Sequence, residues 1–497
     1  MNGLLCLSLL SACVCTIRAQ TVDVNIDGLG DVTGTHSQGP VLRERVNSFL
    51  GIPYAEAPVG ERRFLPPVAM GPWAEHLDAT TEHSCLGVSP DGAEDCLYLN
   101  VYVPNEFDST RRLPVMVWIH GGSFVFGSPL FRNGDNFISD VTGQNEVILV
   151  TIAYRLSVFG FLTSGDDVIP GNMGLQDQAM AIQWVHDHIA SFGGDNSKIT
   201  LFGQSAGAMA ALLHVLHFPA SARPFQRVIM QSQALTAKMS DKSSQVDNFI
   251  AYARSLDCDG DSTRILMCLQ GKTATELMAA TATSDLFIYI TDGDYVTENP
   301  FTALSTADLS GLDVIIGFNS EDGDVWLSVI YTQTQITSFL SNGLAQNSSV
   351  IDDAIEFCAH AAVDEVNWKL TGLSSIPRDS HVTNLPVLRA MLRERYFPEQ
   401  DAFANMEAVL QLTSDCLFGS YALEIARAFA GDGSSTYLYH FDHYCPTPAA
   451  NIQLRAIHNA ELVYVFGNPI TDESYTDDER KLSQSIMTAW KSFARTG

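Results

Sequence analysis

Residues 198–207 read KITLFGQSAG, an apolar run that ends abruptly in small residues, and alanines continue after it. The pattern predicts a strand, a sharp turn and a helix, which is the backbone shape of a G-x-S-x-G nucleophile elbow. In such an elbow Ser205 occupies a strained position that exposes its hydroxyl, and Gly203 and Gly207 let the strand and the helix approach closely. The helix then directs free N–H groups and its positive dipole end towards an anion beside Ser205.

The sequence around this elbow favours an α/β fold. A G-x-S-x-G motif also occurs by chance on ordinary turns, so the flanking residues matter. Residues 113–120 and 147–152 are near-continuous apolar runs, which are typical of strands buried on both faces of a parallel sheet. Residues 94–104 also have strand composition, and residues 176–192 carry apolar side chains at helical spacing. Strands and helices in this order predict an α/β fold with a mostly parallel sheet.

A glycine pair follows the strand predicted over residues 113–120. His120 is followed by Gly121, Gly122 and Ser123, and paired glycines at a strand end let backbone N–H groups turn towards a ligand. A plain turn is the alternative interpretation of this pair alone. Together with the elbow, the pair predicts an oxyanion hole formed by the N–H groups of Gly122, Ser123 and Ala206.

The composition favours one large domain that carries insertions. The chain has 497 residues, of which 46% are hydrophobic and 17% charged, and no linker-like tract or internal repeat is visible. A formal net charge of −29 argues against binding to nucleic acid and disfavours anionic membrane surfaces. The sequence leaves the oligomeric state open.

Residues 1–19 have the pattern of a secretory signal peptide. Their apolar core is too short for a stable membrane anchor, although its leading residues lack Lys and Arg. No later apolar run reaches the length of a membrane-spanning helix, so we expect no stable membrane insertion and a soluble, secreted domain over residues 20–497. Asn347 is the one N-x-S/T acceptor and is a predicted glycosylation site.

The cysteine spacing suggests two short disulfide loops. Three of the ten cysteines lie in the leader, which leaves seven. Cys85 with Cys96, and Cys258 with Cys268, are close enough to close short loops in an oxidising compartment. Metal binding is the competing use, but neither pair has C-x-x-C spacing or a nearby histidine pair. At least one of the remaining three lacks an evident partner, and these are Cys358, Cys416 and Cys445.

These motifs resemble those of the type-B carboxylesterase and cholinesterase family of α/β-hydrolases. Residues 192–207 are similar to the family's nucleophile signature, and residues 94–104 to its second signature around a disulfide cysteine. Further similar stretches are residues 49–64, 171–178, 225–232 and 482–497. The resemblance spans nearly the whole mature chain. It implies an α/β-hydrolase fold, with a central, mostly parallel twisted sheet flanked by helices.

The resemblance also assigns a catalytic triad to Ser205, Asp322 and His458. The acid of the family lies in a strand-end segment like residues 315–323, and the matching position is Asp322, where the family usually carries Glu. Because Asp is one methylene shorter, Glu321 is kept as the rival acid. The base falls on His458, in a segment similar to the family's pattern. The chain order Ser, Asp, His is that of α/β-hydrolases.

Structural roles follow from the same resemblance. Cys85–Cys96 and Cys258–Cys268 match family disulfides, and Cys416 resembles a cysteine whose partner lies beyond Gly497, which implies a truncated or divergent C-terminus. Other implied contacts are the ion pairs Arg63–Glu94 and Arg155–Asp177, and Ser232 as a partner of the acid.

Two departures from the cholinesterase pattern bear on substrate. The loop between Cys85 and Cys96 contains no Trp, whereas cholinesterases hold a quaternary ammonium by cation–π contact with an aromatic ring carried there. Gln204 stands where cholinesterases carry Glu, which removes a negative charge beside the nucleophile. These features argue against choline-ester specificity and leave general carboxylesterases and juvenile-hormone-esterase-like enzymes both open.

The sequence therefore predicts a carboxylic ester hydrolase that works through an acyl-enzyme and requires no metal or organic cofactor. Ser205 attacks the ester carbonyl, His458 takes its proton, and Asp322 holds the imidazole. The alternative is a weak or inactive cholinesterase-like adhesion or storage module with the same fold. A lipase is a third interpretation, but it needs a mobile apolar lid that the sequence does not identify.

Overall fold

A computed structural model describes residues 21–38, 45–87, 92–104, 110–129, 134–138, 146–233, 240–281, 289–326, 348–363, 385–396, 404–443 and 456–497. The predicted signal peptide, the predicted glycosylation site Asn347 and Cys445 lie outside these residues.

One mixed sheet organises the described part of the chain. Its eleven strands, in chain order, are β1 (Thr21–Ile26), β2 (Gly30–Gln38), β3 (Arg45–Pro53), β4 (Leu77–Asp78), β5 (Tyr98–Pro104), β6 (Leu113–Ile119), β7 (Ile148–Ile152), β8 (Gly194–Gln204), β9 (Arg227–Gln231), β10 (Asp313–Asn319) and β11 (Thr436–Phe441).

The spatial order of the strands is β1-β2-β3-β5-β7-β6-β8-β9-β10-β11, with β4 beside β2. The pairs from β1 to β7 along this order are antiparallel. From β7 to β11 every pair is parallel. The mostly parallel α/β sheet expected from the buried apolar runs is therefore present, with antiparallel strands at its N-terminal edge.

Helices of the described chain connect and cover these strands. They are α1 (Gly134–Ile138), α2 (Ser157–Phe161), α3 (Met173–His188), α4 (Ala206–His217), α5 (Val246–Ser255), α6 (Ser262–Gln270), α7 (Ala274–Thr281), α8 (Pro300–Leu304), α9 (Ser348–Val363), α10 (Leu385–Tyr396), α11 (Ala404–Ser414), α12 (Ser420–Gly431), α13 (Leu462–Val465), α14 (Asn468–Thr471) and α15 (Asp477–Thr496). A π-helical turn, Asp415–Gly419, joins α11 to α12.

The central strands are buried on both faces, as their unbroken apolar sequences predict. In β6, Val115 and Val117 contribute to the core that contains the apolar side chains of α3 and α4. The alternate residues Met116 and Trp118 contribute to a second core, into which α15 inserts Trp490 among other residues. Successive side chains of a strand point to opposite faces, so one apolar run supplies both cores.

The parallel register brings the ends of β6, β8, β9 and β10 to one edge of the sheet. Ile119 pairs with Gly203, Gln204 pairs with Gln231, and Gly317 pairs with the same Gln231. The segments that follow these strands carry the glycine pair, Ser205 and the acidic residues after β10. Ligands of open α/β sheets bind at the carboxyl ends of the strands, so this edge is where a site is expected.

Both expected disulfides are formed, Cys85–Cys96 and Cys258–Cys268. Arg63 ties the two loops together. Its Nε and Nη2 donate to the two carboxylate oxygens of Glu94, each at 2.6 Å. Its Nη1 donates to three carbonyl oxygens at the end of α6, those of Leu269, Gln270 and Lys272. The ion pair implied by the resemblance therefore also fixes the second disulfide loop.

Cys358 and Cys416 are free and buried thiols in this structure. Burial raises the pKa of the Cys358 thiol, and a side-chain hydrogen bond with Cys416 raises it further. Within the described chain Cys416 thus lies beside Cys358, and a partner beyond Gly497 stays a prediction.

None of the helices in the described ranges combines the length and the apolar character that crossing a bilayer demands.

Candidate active site

Ser205 lies at a sharp turn between β8 and α4. Its backbone angles are φ 56° and ψ −123°, a strained conformation for a residue with a side chain. Two hydrogen bonds hold it: its N–H donates to the Gln231 carbonyl at 2.9 Å, and its own carbonyl accepts from the Met209 N–H at 3.0 Å. Such a turn costs about 1–3 kcal/mol. The predicted strand, turn and helix are therefore present, with Ser205 partly exposed at the apex.

Two glycines make this turn sterically possible. A Cβ on Gly207 would lie 2.0 Å from the Ile119 carbonyl oxygen, and a Cβ on Gly203 would lie 2.5 Å from the Gly207 carbonyl carbon. Neither distance is compatible with a side chain. The start of α4 therefore packs directly on the end of β6, and this contact sets Ser205 beside the segment that follows β6.

The glycine-pair segment adopts an unusual backbone against the elbow. Gly122, Ser123 and Phe124 have φ values of 110°, 54° and 61°. A Cβ on Gly121 would lie 3.1 Å from the Ser205 Cβ, so the segment touches the nucleophile turn. The N–H groups of Gly122, Ser123 and Ala206 make no hydrogen bond to a backbone carbonyl of the described residues. They are thus available as donors to an oxyanion.

Asp322 and His458 form a hydrogen-bonded pair. The Nδ1 of His458 lies 2.8 Å from Oδ1 of Asp322, whose side chain is completely buried. The second carboxylate oxygen, Oδ2, accepts from the backbone N–H of Asn319 at 2.6 Å. The rival residue Glu321 meets the histidine segment through its backbone, because its N–H donates to the Ala456 carbonyl at 2.9 Å.

The protonation of His458 follows from these neighbours. Burial lowers the pKa of the imidazole, but the hydrogen bond and charge of Asp322 raise it, and the charges of Asp324 and Glu461 add to the increase. The net result is a pKa above the ordinary value. A carboxylate on Nδ1 fixes that nitrogen as a donor and leaves Nε2 as an acceptor, which is the tautomer that a general base needs.

The acceptor Nε2 of His458 is in contact with Gln204. The two nitrogens, Gln204 Nε2 and His458 Nε2, lie 3.0 Å apart, so the amide donates to the ring. No hydrogen bond joins the Ser205 hydroxyl to His458 among the contacts of the described residues. The structure thus brings the histidine to the elbow residue next to Ser205, with the Gln204 amide on its Nε2.

Two further carboxylates lie near the imidazole, and no motif in the sequence marks either of them. Asp324 accepts a hydrogen bond from the backbone N–H of His458 at 2.8 Å. Glu461 is buried and accepts from Gln231 Nε2 at 3.1 Å and from Asn319 Nδ2 at 2.7 Å. Their spacing from the triad candidates was the available signal, since Asp324 lies two residues after Asp322 and Glu461 three residues after His458.

The second expected ion pair is formed, while the hydroxyl of Ser232 makes no hydrogen bond with the acid in the described part of the chain. Arg155 donates to both carboxylate oxygens of the fully buried Asp177, at 2.8 Å and 2.7 Å. The hydroxyl of Ser232 has no hydrogen-bond partner among the described residues, so no contact with Asp322 is seen. The second oxygen of Asp322 accepts instead from the backbone N–H of Asn319, at the end of its own strand.

The profile of the Carboxylesterase family matches residues 19–497. The chain belongs to this family. Acetylcholinesterase 1 of Caenorhabditis elegans is 32% identical over 94% of the chain and 79% of the relative. Carboxylesterase 5A of Mus musculus is 32% identical over 94% of the chain and 80% of the relative. Carboxylesterase 1C of Rattus norvegicus is 30% identical over 94% of the chain and 84% of the relative.

Membership confirms the resemblance read from the motifs and the α/β-hydrolase fold. It also gives the enzyme class, a serine-dependent hydrolase of carboxylic esters.

Proposed function

We propose that this chain hydrolyses carboxylic esters through a Ser205–His458–Asp322 triad and an acyl-enzyme intermediate. The observation that carries the proposal is the hydrogen bond between His458 and the buried Asp322 beside the strained elbow of Ser205. The Ser205 oxygen attacks the carbonyl while His458 Nε2 takes its proton. Asp322 holds the tautomer and stabilises the imidazolium. His458 then protonates the leaving alcohol, and a water molecule repeats the sequence to release the acid.

The oxyanion of each tetrahedral intermediate is assigned to the N–H groups of Gly122, Ser123 and Ala206. Their support is the left-handed backbone after Gly121, its contact with the elbow, and the lack of competing carbonyl acceptors in the described chain. One donor of this kind typically contributes about 3 kcal/mol to transition-state stabilisation.

Attack requires a local change at the elbow. The Gln204 amide occupies the Nε2 lone pair of His458, so the Ser205 hydroxyl has to replace it when substrate binds. This occupied lone pair is the observation that favours the second candidate function, a weakly active adhesion or storage module. Catalytic hydrogen bonds are often loose without substrate and tighten in the complex, so the contact is compatible with an active enzyme.

We infer that the substrate is an uncharged ester rather than a choline ester. The Cys85–Cys96 loop contains no Trp, and Gln204 contributes a neutral amide at the nucleophile. One of the relatives is named an acetylcholinesterase, so acetylthiocholine and its uncharged isostere 3,3-dimethylbutyl thioacetate should be compared directly. A desolvated cation–π contact of about 2 kcal/mol gives a preference for the cation of about 30-fold in kcat/KM. We expect no such preference.

We also propose that the protein is secreted. The leader over residues 1–19 supports this, and the two disulfides are compatible with an oxidising compartment. Asn347 is then a proposed glycosylation site, and residues 20–497 form the proposed mature domain.

The deciding experiment measures hydrolysis of p-nitrophenyl acetate and butyrate by the purified chain and by Ser205→Ala. We expect Ser205→Ala to lose nearly all activity while keeping the melting temperature of the unmodified protein. Ser485→Ala, at an exposed position of α15, is the matched control and should remain fully active. Equal hydrolysis by the Ser205→Ala protein would end the triad proposal, and no hydrolysis by any form would favour the inactive module.

A further inference from the structure

We propose that Asp324 is a second carboxylate, beside Asp322, that supports the catalytic base His458. Its side chain holds the backbone of His458 and adds negative charge that stabilises the imidazolium. The inference rests on the proposed esterase function. It assigns Asp324 as a positioning residue, because it touches His458 and not the reacting atoms.

The contact of Asp324 with the histidine segment is direct. Its Oδ1 accepts the backbone N–H of His458 at 2.8 Å, while Asp322 holds the ring of the same residue at Nδ1. The acidic turn after β10 therefore contacts His458 at two points, its backbone N–H through Asp324 and its ring through Asp322. A hydrogen bond from a backbone N–H to a carboxylate is charge-assisted and stronger than one between neutral groups.

The charged neighbours of Asp324 are mostly negative. Burial raises its pKa to about 7, the charge of His458 and the hydrogen bond from its N–H oppose this increase, and the charges of Asp322 and Glu321 add to it. Glu461, three residues after His458, raises the pKa of His458 as well. Asp324 is thus protonated on the acid side of neutrality and ionised on the alkaline side.

This titration has a defined effect on catalysis. The transition state of acylation places positive charge on His458, and an ionised Asp324 stabilises that charge while a neutral one does not. His458 itself must be neutral to accept the serine proton. Both ionisations therefore increase kcat/KM as the pH rises, and the acid limb of the profile contains two groups.

The alternative role is purely structural. Asp324 also donates its own N–H to the Glu321 carbonyl within the turn, so its side chain could serve only to order the segment before His458. Asparagine separates the two roles, because its side-chain oxygen can accept the same N–H while carrying no charge. Alanine removes both the acceptor and the charge.

The experiment is the pH dependence of kcat/KM for p-nitrophenyl acetate, measured on the full chain and on Asp324→Asn, Asp324→Glu and Asp324→Ala. We expect the unmodified enzyme to rise by more than tenfold per pH unit over part of its acid limb. Asp324→Asn should show a single ionisation and an alkaline plateau lowered by about 10- to 100-fold, the loss expected from one nearby charge. Asp324→Glu should recover the second ionisation.

Asp167→Asn is the matched control, because its carboxylate is 97% exposed and remote from the triad in the sequence, and it should leave the profile unchanged. The inference is overturned if Asp324→Asn keeps both the shape and the plateau of the unmodified enzyme while Asp324→Ala is impaired. If the asparagine variant does not fold, a pH profile of kcat/KM with only one ionisation in the acid limb of the unmodified enzyme also overturns the inference. An inactive unmodified protein would instead refute the esterase proposal itself.

Discussion

Replacing Asp322 by Asn tests the geometry of the proposed triad most directly. The two carboxylate oxygens of Asp322 have different partners, His458 Nδ1 at 2.8 Å and the Asn319 N–H at 2.6 Å. Asparagine offers one oxygen and one NH2 group in their place. The Asn319 N–H needs an acceptor, and facing a buried donor with another donor costs about 1–3 kcal/mol. The amide oxygen therefore turns to Asn319, and the NH2 group faces the histidine.

That orientation reverses the tautomer of His458. An NH2 group opposite Nδ1 requires Nδ1 to be the acceptor, which places the proton on Nε2, where the base must be free to accept. The same change in a Ser-His-Asp protease lowers kcat by about 10⁴-fold, or about 5.4 kcal/mol. The opposite amide orientation keeps the tautomer but leaves two donors facing each other and removes the charge under the imidazolium. We expect a loss of about 10³- to 10⁴-fold here.

The assay is kcat for p-nitrophenyl butyrate in Asp322→Asn and Glu321→Gln, with the melting temperature of each variant as the check on folding. Glu321→Gln is the matched control, since it removes the adjacent carboxylate and keeps the backbone hydrogen bond from residue 321 to the histidine segment. We expect it to retain activity within about tenfold. A severe loss in Glu321→Gln combined with a mild one in Asp322→Asn would refute the assignment of the acid.

Two further changes test a buried ion pair and the proposed oxyanion hole. Asp177→Asn should lower the free energy of unfolding, measured by urea denaturation, by about 3–5 kcal/mol, because it leaves the buried Arg155 without its charged partner. The control is Asp187→Asn, which changes a half-exposed carboxylate on α3 and should stay within about 0.5 kcal/mol of the unmodified protein. Gly122→Ala should lower kcat by about 10²- to 10³-fold, because its Cβ would lie 2.0 Å from the Phe126 carbonyl oxygen. In the same ester assay Gly431→Ala, which has nothing within 4 Å of the added Cβ, should be fully active, and equal activity of the two glycine variants would argue against the oxyanion assignment.

The central sheet and the elbow could be predicted because their signals are local. The apolar runs that became β6 and β7 are buried on both faces, and such strands need no partner to be recognised in the sequence. The turn at Ser205 likewise depends on Gly203 and Gly207 within the same short motif. The boundaries shifted by a few residues. The helix expected over residues 176–192 begins at Met173 and ends in a 3₁₀ turn, Ile189–Phe192.

The contacts around His458 could not be predicted in this way, because they join segments far apart in the chain. Asp324 meets His458 across 134 positions, and Gln204 meets it across 254. The resemblance supplied the three positions of the proposed triad but not the side chains that contact them. The resemblance also placed Ser232 against the acid, whereas the second oxygen of Asp322 accepts from the backbone N–H of Asn319 at the end of the same strand.

The charge around His458 explains why a neutral residue at position 204 is consistent with catalysis. Asp322, Asp324 and Glu461 already raise the pKa of the imidazole. A carboxylate at position 204 would add a further negative charge at the ring and favour the protonated form, which cannot act as a base. The Gln204 amide does the opposite, because a donor on Nε2 stabilises the neutral imidazole. The neutral amide thus adds no charge to those that already raise the pKa of His458, and in the proposed mechanism it leaves Nε2 to the Ser205 hydroxyl when substrate binds.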